Sequence, residues 1–179
     1  AMAGVSLNPA APPEGDPEAL QRYPLYPYLQ AARLNRRLAQ QPATATGASL
    51  PAGEITLDEE IAAFLMRQGD RPVTRTLRSN WLQSLAGRKD WGRYLTHYDI
   101  DRDKQAVLRC HWLAARAARD STAGLVDEIT TTWLSPKSLP DACDPAIAWW
   151  QARGGPDAAL LERRARLALE AGEPGLARY

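Results

Sequence analysis

Only nine Val and Ile residues accompany 54 Ala and Leu in this chain. β-Branched side chains favour the pleated surface of a strand, whereas Ala and Leu lose little in a helix. The imbalance predicts an all-α fold. Fourteen prolines then divide the chain into many short helices with sharp ends.

Local start and stop signals place those helices. Residues 1–17, rich in Pro, Gly and Ala, read as an extended or disordered lead. The opening Ala1-Met2-Ala3-Gly4 has the look of a cloning scar ahead of a mature sequence. The helical region follows over 18–179. Tyr23-Pro24-Leu25-Tyr26-Pro27-Tyr28-Leu29 opens a helix to about Gln40, with Ala31, Leu34 and Leu38 as its buried stripe. Gln41–Gly53 reads as a loop. Thr56 with Glu59 forms a capping box, so a helix starts at Leu57, buries Leu57, Ile61, Phe64 and Leu65, and stops at Gly69. Pro72 suits the first turn of the next helix, whose inward residues are Leu77, Trp81 and Leu85.

Asp90 caps a short helix holding Trp91, Tyr94 and Leu95. A longer helix is predicted over 103–119 with the stripe Ala106, Cys110, Leu113 and Ala117. Another spans about 122–133, with Val126, Ile129 and Trp133 inward. Asp144-Pro145 reads as an N-cap and first-turn pair, Asp157 starts a helix over 158–171, and Glu173-Pro174 starts one more. Seven or eight helices with short connections pack as antiparallel pairs, in a bundle or an irregular α-solenoid. The helix start at the very C-terminus favours a solenoid cut in mid-array.

The charge pattern narrows the function. A net charge of +1 is too small for a general polyanion binder, so no nucleic-acid partner is expected. No run of eighteen apolar residues is present, so no membrane-spanning helix is expected. Nineteen of the 22 basic residues are Arg, suited to forked pairing with the 21 acids.

Chemical motifs fare poorly. Asp99, Asp101 and Asp103 alternate as in a calcium loop, but the sixth and twelfth positions hold Lys104 and Cys110 instead of Gly and Glu. They read as solvated acids at a helix N-terminus. Cys110-His111 and Cys143-Asp144 lack the close ligand spacing of zinc motifs, so no metal is expected. Neither His97 nor His111 has the context of a catalytic base. Glu162, followed by Arg163 and Arg164, reads as an ion-paired surface. There is no phosphate loop, and no cofactor is expected. Cys110 and Cys143 read as free core thiols or as one disulfide. Trp81, Trp112 and Trp133 fall on or near buried stripes. Trp149 and Trp150 cannot share a helix face, and Trp150 is the ligand-contact candidate.

A longer pattern runs through the chain. Besides the Tyr23–Leu29 cluster it includes Thr76-Leu77-Arg78, Trp81-Leu82, Leu85-Ala86 and Arg88-Lys89-Asp90-Trp91. Further on stand Trp133-Leu134, Lys137-Ser138-Leu139-Pro140 and Ala142-Cys143-Asp144, then Trp150, Leu161-Glu162-Arg163, Arg166-Leu167-Ala168 and Ala171-Gly172. In register over about residues 20–177, this resembles the soluble lytic murein transglycosylases of Gram-negative bacteria. The resemblance implies an N-terminal U-shaped superhelical domain, an open part of a larger ring closed by a linker domain. It implies peptidoglycan glycan strands as partner and a periplasmic location. In that family a separate C-terminal domain cuts the MurNAc–GlcNAc β-1,4 bond with the Glu of a Glu-Ser dipeptide, leaving a 1,6-anhydro product. This sequence contains no Glu-Ser dipeptide, so no catalytic residue carries over. The resemblance also implies a Cys110–Cys143 disulfide. The competing expectation is a free-standing helical-repeat adaptor that grips another protein. An enzyme complete within this chain would need a catalytic constellation that the residues do not offer.

Overall fold

Side-chain caps set the starts of three helices, and first-turn prolines mark three more. The computed structural model describes residues 15–41 and 55–176. It contains nine α-helices and no strand among those residues, as the composition predicts. They divide into two units, Ala1–Arg88 and Lys89–Tyr179. Residues 1–14 of the expected lead and most of the expected 41–53 loop lie outside the described residues.

In the first unit, the four-residue α1 (Glu18–Gln21) precedes α2 (Tyr26–Gln40), α3 (Leu57–Gln68) and α4 (Pro72–Gly87). The capping box of α3 is formed: Glu59 N–H donates to Thr56 Oγ1 at 3.2 Å, and Thr56 N–H donates to Glu59 Oε2 at 2.8 Å. Gly69 ends α3 at φ +62°, a conformation that side chains resist. Leu34 and Leu38 from α2, Ile61 and Phe64 from α3, and Leu77, Trp81 and Leu85 from α4 form the buried core. Each such large side chain contributes about 1.5–3 kcal/mol by leaving water. Leu57 is only half-buried, because the adjacent Asp58 turns inward. Asp16 and Pro17, expected in the lead, belong to this unit. The Asp16 carboxylate accepts a forked pair from Arg33 and a 3.1 Å bond from Tyr26 Oη.

The second unit holds α5 (Trp91–His97), α6 (Ala106–Ala118), α7 (Leu125–Trp133), α8 (Asp144–Gln151) and α9 (Ala158–Glu170), with a 3-10 turn at Asp141–Cys143. Asp90 caps α5 through Arg93 N–H at 3.2 Å, and Asp157 caps α9 through Leu160 N–H at 2.8 Å. Its core gathers Leu113 from α6, Leu125, Ile129 and Trp133 from α7, and Ala146 and Trp150 from α8.

Four expectations shift here. Helix α6 starts at Ala106 instead of 103, because the buried Asp103 carboxylate accepts from Asp99 N–H at 2.8 Å and holds the preceding loop. Ala106 is therefore exposed and Ala117 half-buried, and the inward stripe is Leu108, Cys110, Leu113 and Ala114. In α7 Ile129 and Trp133 point inward as expected, but Val126 does not. Leu125 is fully buried while Val126 is 44% exposed, since α7 begins only after Gly124 turns at φ +69°. Asp144 is the first helical residue and not a cap, because the 3-10 turn runs straight into α8. No α-helix starts at Glu173-Pro174 among the described residues. A turn closed by Leu176 N–H on Glu173 C=O stands there.

Candidate functional site

The second unit carries every candidate residue. Cys110 lies on the inward stripe of α6, and Pro140 sets the 3-10 turn that brings Cys143 against it. The two form a disulfide, with Cα atoms 4.4 Å apart and both residues almost fully buried. The bridge ties α6 to the start of α8 across a sequence separation of 33.

Next to it the aromatic residues occupy one another. Trp150, the expected ligand contact, is only 3% exposed. Its indole packs edge-on against Trp133, with ring centroids 5.5 Å apart, and lies so close to Gly155 that no Cβ would fit between them. Trp150 is thus enclosed by Trp133 and Gly155 in this chain. Packing of α8 on α7 decides the matter. Trp149 turns the other way, half-buried, with the Arg153 guanidinium 4.0 Å above its ring.

Trp112 is covered differently. Two guanidinium groups approach its ring, Arg109 at 4.3 Å and Arg116 at 4.5 Å. Their charge is held by Glu128, which pairs with Arg116 Nη1 at 2.7 Å and Arg109 Nη2 at 3.4 Å. Arg116 also donates to the Ser121 and Ala123 carbonyls. Tyr98 closes a further side at 5.7 Å, and burial pushes its phenol pKa up. Trp112 thus anchors α6 to α7 through cation–π contact and a shared acid.

The acidic triplet does not converge. Asp99 Oδ1 accepts from Asp101 N–H at 3.0 Å, and Asp103 holds the Asp99 amide, so these carboxylates shape their own loop. The buried Asp103 is not the solvated acid expected. Among the described residues, no group of three or more His, Cys, Asp or Glu is placed to hold a metal ion. None of the helices there is long and apolar enough to cross a membrane. His111 is half-buried, and desolvation lowers its pKa. Cys110 is locked in the bridge and offers no thiolate beside it.

One feature has no signal in the sequence. A groove of about 410 Å³ runs between α7 and α9, lined by Asp127, Thr130, Thr131, Leu160, Arg163 and Leu167. Glu162 pairs with Arg166 one turn on, at 2.8 Å, and not with Arg163 or Arg164, since i and i+4 meet on a helix and neighbours do not. Periodicity marks Asp127, Thr131 and Arg163 as ordinary exposed positions; only the juxtaposition of the two helices makes them one site.

Similar proteins have been characterised. No family model matches the chain. It is 31% identical over 157 residues to the soluble lytic murein transglycosylase of Salmonella typhimurium, covering 88% of this chain and 22% of that protein. Its identity to the corresponding enzyme of Escherichia coli K12 is 30% over the same length. Among solved structures, an inactive mutant of the lytic transglycosylase Slt from Pseudomonas aeruginosa aligns with a TM-score of 0.73 at 30% identity, over 88% of this chain and 23% of that one. The 70-kDa soluble lytic transglycosylase of Escherichia coli aligns at 0.70 and 29% identity, over 89% and 23%. The chain spans less than a quarter of the length of each. It is homologous to the soluble lytic murein transglycosylases over that part of their length.

Proposed function

We propose that this chain is a non-catalytic scaffold segment of a periplasmic lytic transglycosylase, the N-terminal U-shaped part of a superhelical ring. The observation that carries the reading is the likeness along 88% of this chain to 23% of a lytic transglycosylase, at a TM-score of 0.73. Other domains of the full protein would then cleave the MurNAc–GlcNAc bond, and this segment would hold glycan strands near them. Such a scaffold contributes orientation and binding, which lower the entropic part of the barrier without touching the reacting atoms. The Cys110–Cys143 bridge supports an oxidising compartment such as the periplasm.

The test compares two proteins on purified murein: this chain alone, and the product of its full coding region. The full product should release 1,6-anhydro-muropeptides and this chain none. Release by this chain alone, or a full product without activity on murein, would sink the reading.

A further inference from the structure

We propose that the groove between α7 and α9 binds a short peptide that carries both a free carboxylate and a free amine. The inference stands apart from the scaffold reading and uses only the chemistry of the groove walls.

Asp127 on α7 and Arg163 on α9 border the same groove. Neither forms an ion pair or side-chain hydrogen bond with any described residue, including the other. Their helical neighbours behave otherwise: Glu128 is shared by Arg109 and Arg116, and Glu162 is taken by Arg166. An acid and a guanidinium without an ion-pair partner among the described residues border the same groove. Leu160 and Leu167, one turn to either side of Arg163 on α9, supply half-buried apolar wall. The Thr130 hydroxyl donates to the Val126 carbonyl at 2.8 Å, which leaves its lone pairs as acceptors. Arg164 adds a second cation on the helix face of Leu160 and Leu167. It stands 4.4 Å over the Trp133 ring, its Nε is buried without a partner, and no described carboxylate pairs with it.

This donor set selects its occupant. A polyanion would meet Asp127, and a neutral sugar would satisfy neither charge. A zwitterionic peptide places its carboxylate on Arg163, where a forked pair is available, and its amine on Asp127. Small apolar side chains then cover the leucines. A volume of about 410 Å³ lies toward the lower end of small-ligand pockets and suits about three small residues.

The experiment is an amide-resolved NMR titration of this chain with trialanine, N-acetyl-trialanine and trialanine amide. Trialanine should shift the amides of Thr130, Thr131 and Arg163 saturably, and blocking either end should weaken binding about tenfold, the scale of a lost charged hydrogen bond. In R163Q the difference between trialanine and its amide should vanish. In D127N the difference between trialanine and its acetylated form should vanish, which completes the cycle. Both positions are exposed, and circular dichroism checks that each variant keeps its helices. Three results overturn the proposal: no shifts in the groove, equal binding of all three peptides, or groove shifts that depend on protein concentration without peptide. The last would show a second copy in the groove. None of them bears on the scaffold reading, which rests on homology.

Discussion

Arg88 closes a two-point fork on Asp58, with Nη2 to Oδ1 at 2.9 Å and Nη1 to Oδ2 at 3.1 Å. The Trp81 indole donates to the same Oδ1 at 2.8 Å, so one carboxylate joins the start of α3 to the middle and end of α4. Both partners of the fork are almost wholly buried. Removing one charge strands the other in the core. R88L should lower the unfolding free energy by about 3–5 kcal/mol, and R88L/D58L should recover part of that loss. Urea unfolding at constant m-value reads both. A double variant worse than the single one would show that the pair itself, and not the stranded acid, carries the stability.

The Cys110–Cys143 bridge restrains a stretch of 33 residues in the unfolded chain. Loop-closure entropy gives it about 3–4 kcal/mol of stabilisation. C110A/C143A should lose that amount, and amide exchange should accelerate first in α6 and the 3-10 turn. Thiol titration of the denatured, unreduced protein should find no free thiol; two would contradict the bridge.

Gly155 is required by space and not by backbone freedom. A Cβ there would overlap Trp150 at Cε2 and Nε1, and that indole is held by Trp133 on another side. G155A should therefore destabilise the second unit by about 1–3 kcal/mol, the range for forced overpacking. Tryptophan emission should shift to longer wavelength as Trp150 is displaced. An unchanged melting temperature and emission would mean that the indole has room to move.

His111 sets a pH dependence. Burial holds its folded pKa below 6.5, so on acidification the unfolded chain takes up the proton first. Stability is then flat above about pH 6.5 and falls as the pH drops from there toward the folded pKa. Asp16 acts at lower pH. Its fork with Arg33 holds the carboxyl below 3.8, so that contribution is lost only as the pH falls past this value toward the folded pKa. Urea midpoints at pH 7.5 and 5.5 should differ, and H111L should shrink the difference. An equal pH dependence in H111L would remove His111 as its source.

The capping boundaries are legible in residue order alone. The Thr56–Glu59 box, Asp90 and Asp157 each accept from an amide three residues on, and Pro72 acts through its own fixed φ, so nothing beyond neighbours along the chain is needed. The stripe of α2 is readable for the same reason. The failures sit where a distant element chooses between local options. Val126 and Leu125 are both apolar neighbours on α7, and only packing against α6 and α8 turns Leu125 inward. Trp150 has the chemistry of a ligand platform, yet Trp133 and Gly155 enclose it.

Residue order therefore carries the all-α class, most helix starts and the kinship to lytic transglycosylases, because these rest on local bonds and on the succession of side chains. Packing between helices settles which aromatics are buried and brings Asp58 to Arg88. It also sets Asp127 and Arg163, without ion-pair partners among the described residues, along one groove. These two pairs stand 30 and 36 positions apart in the chain, and no periodicity along it encodes the meeting of two helices.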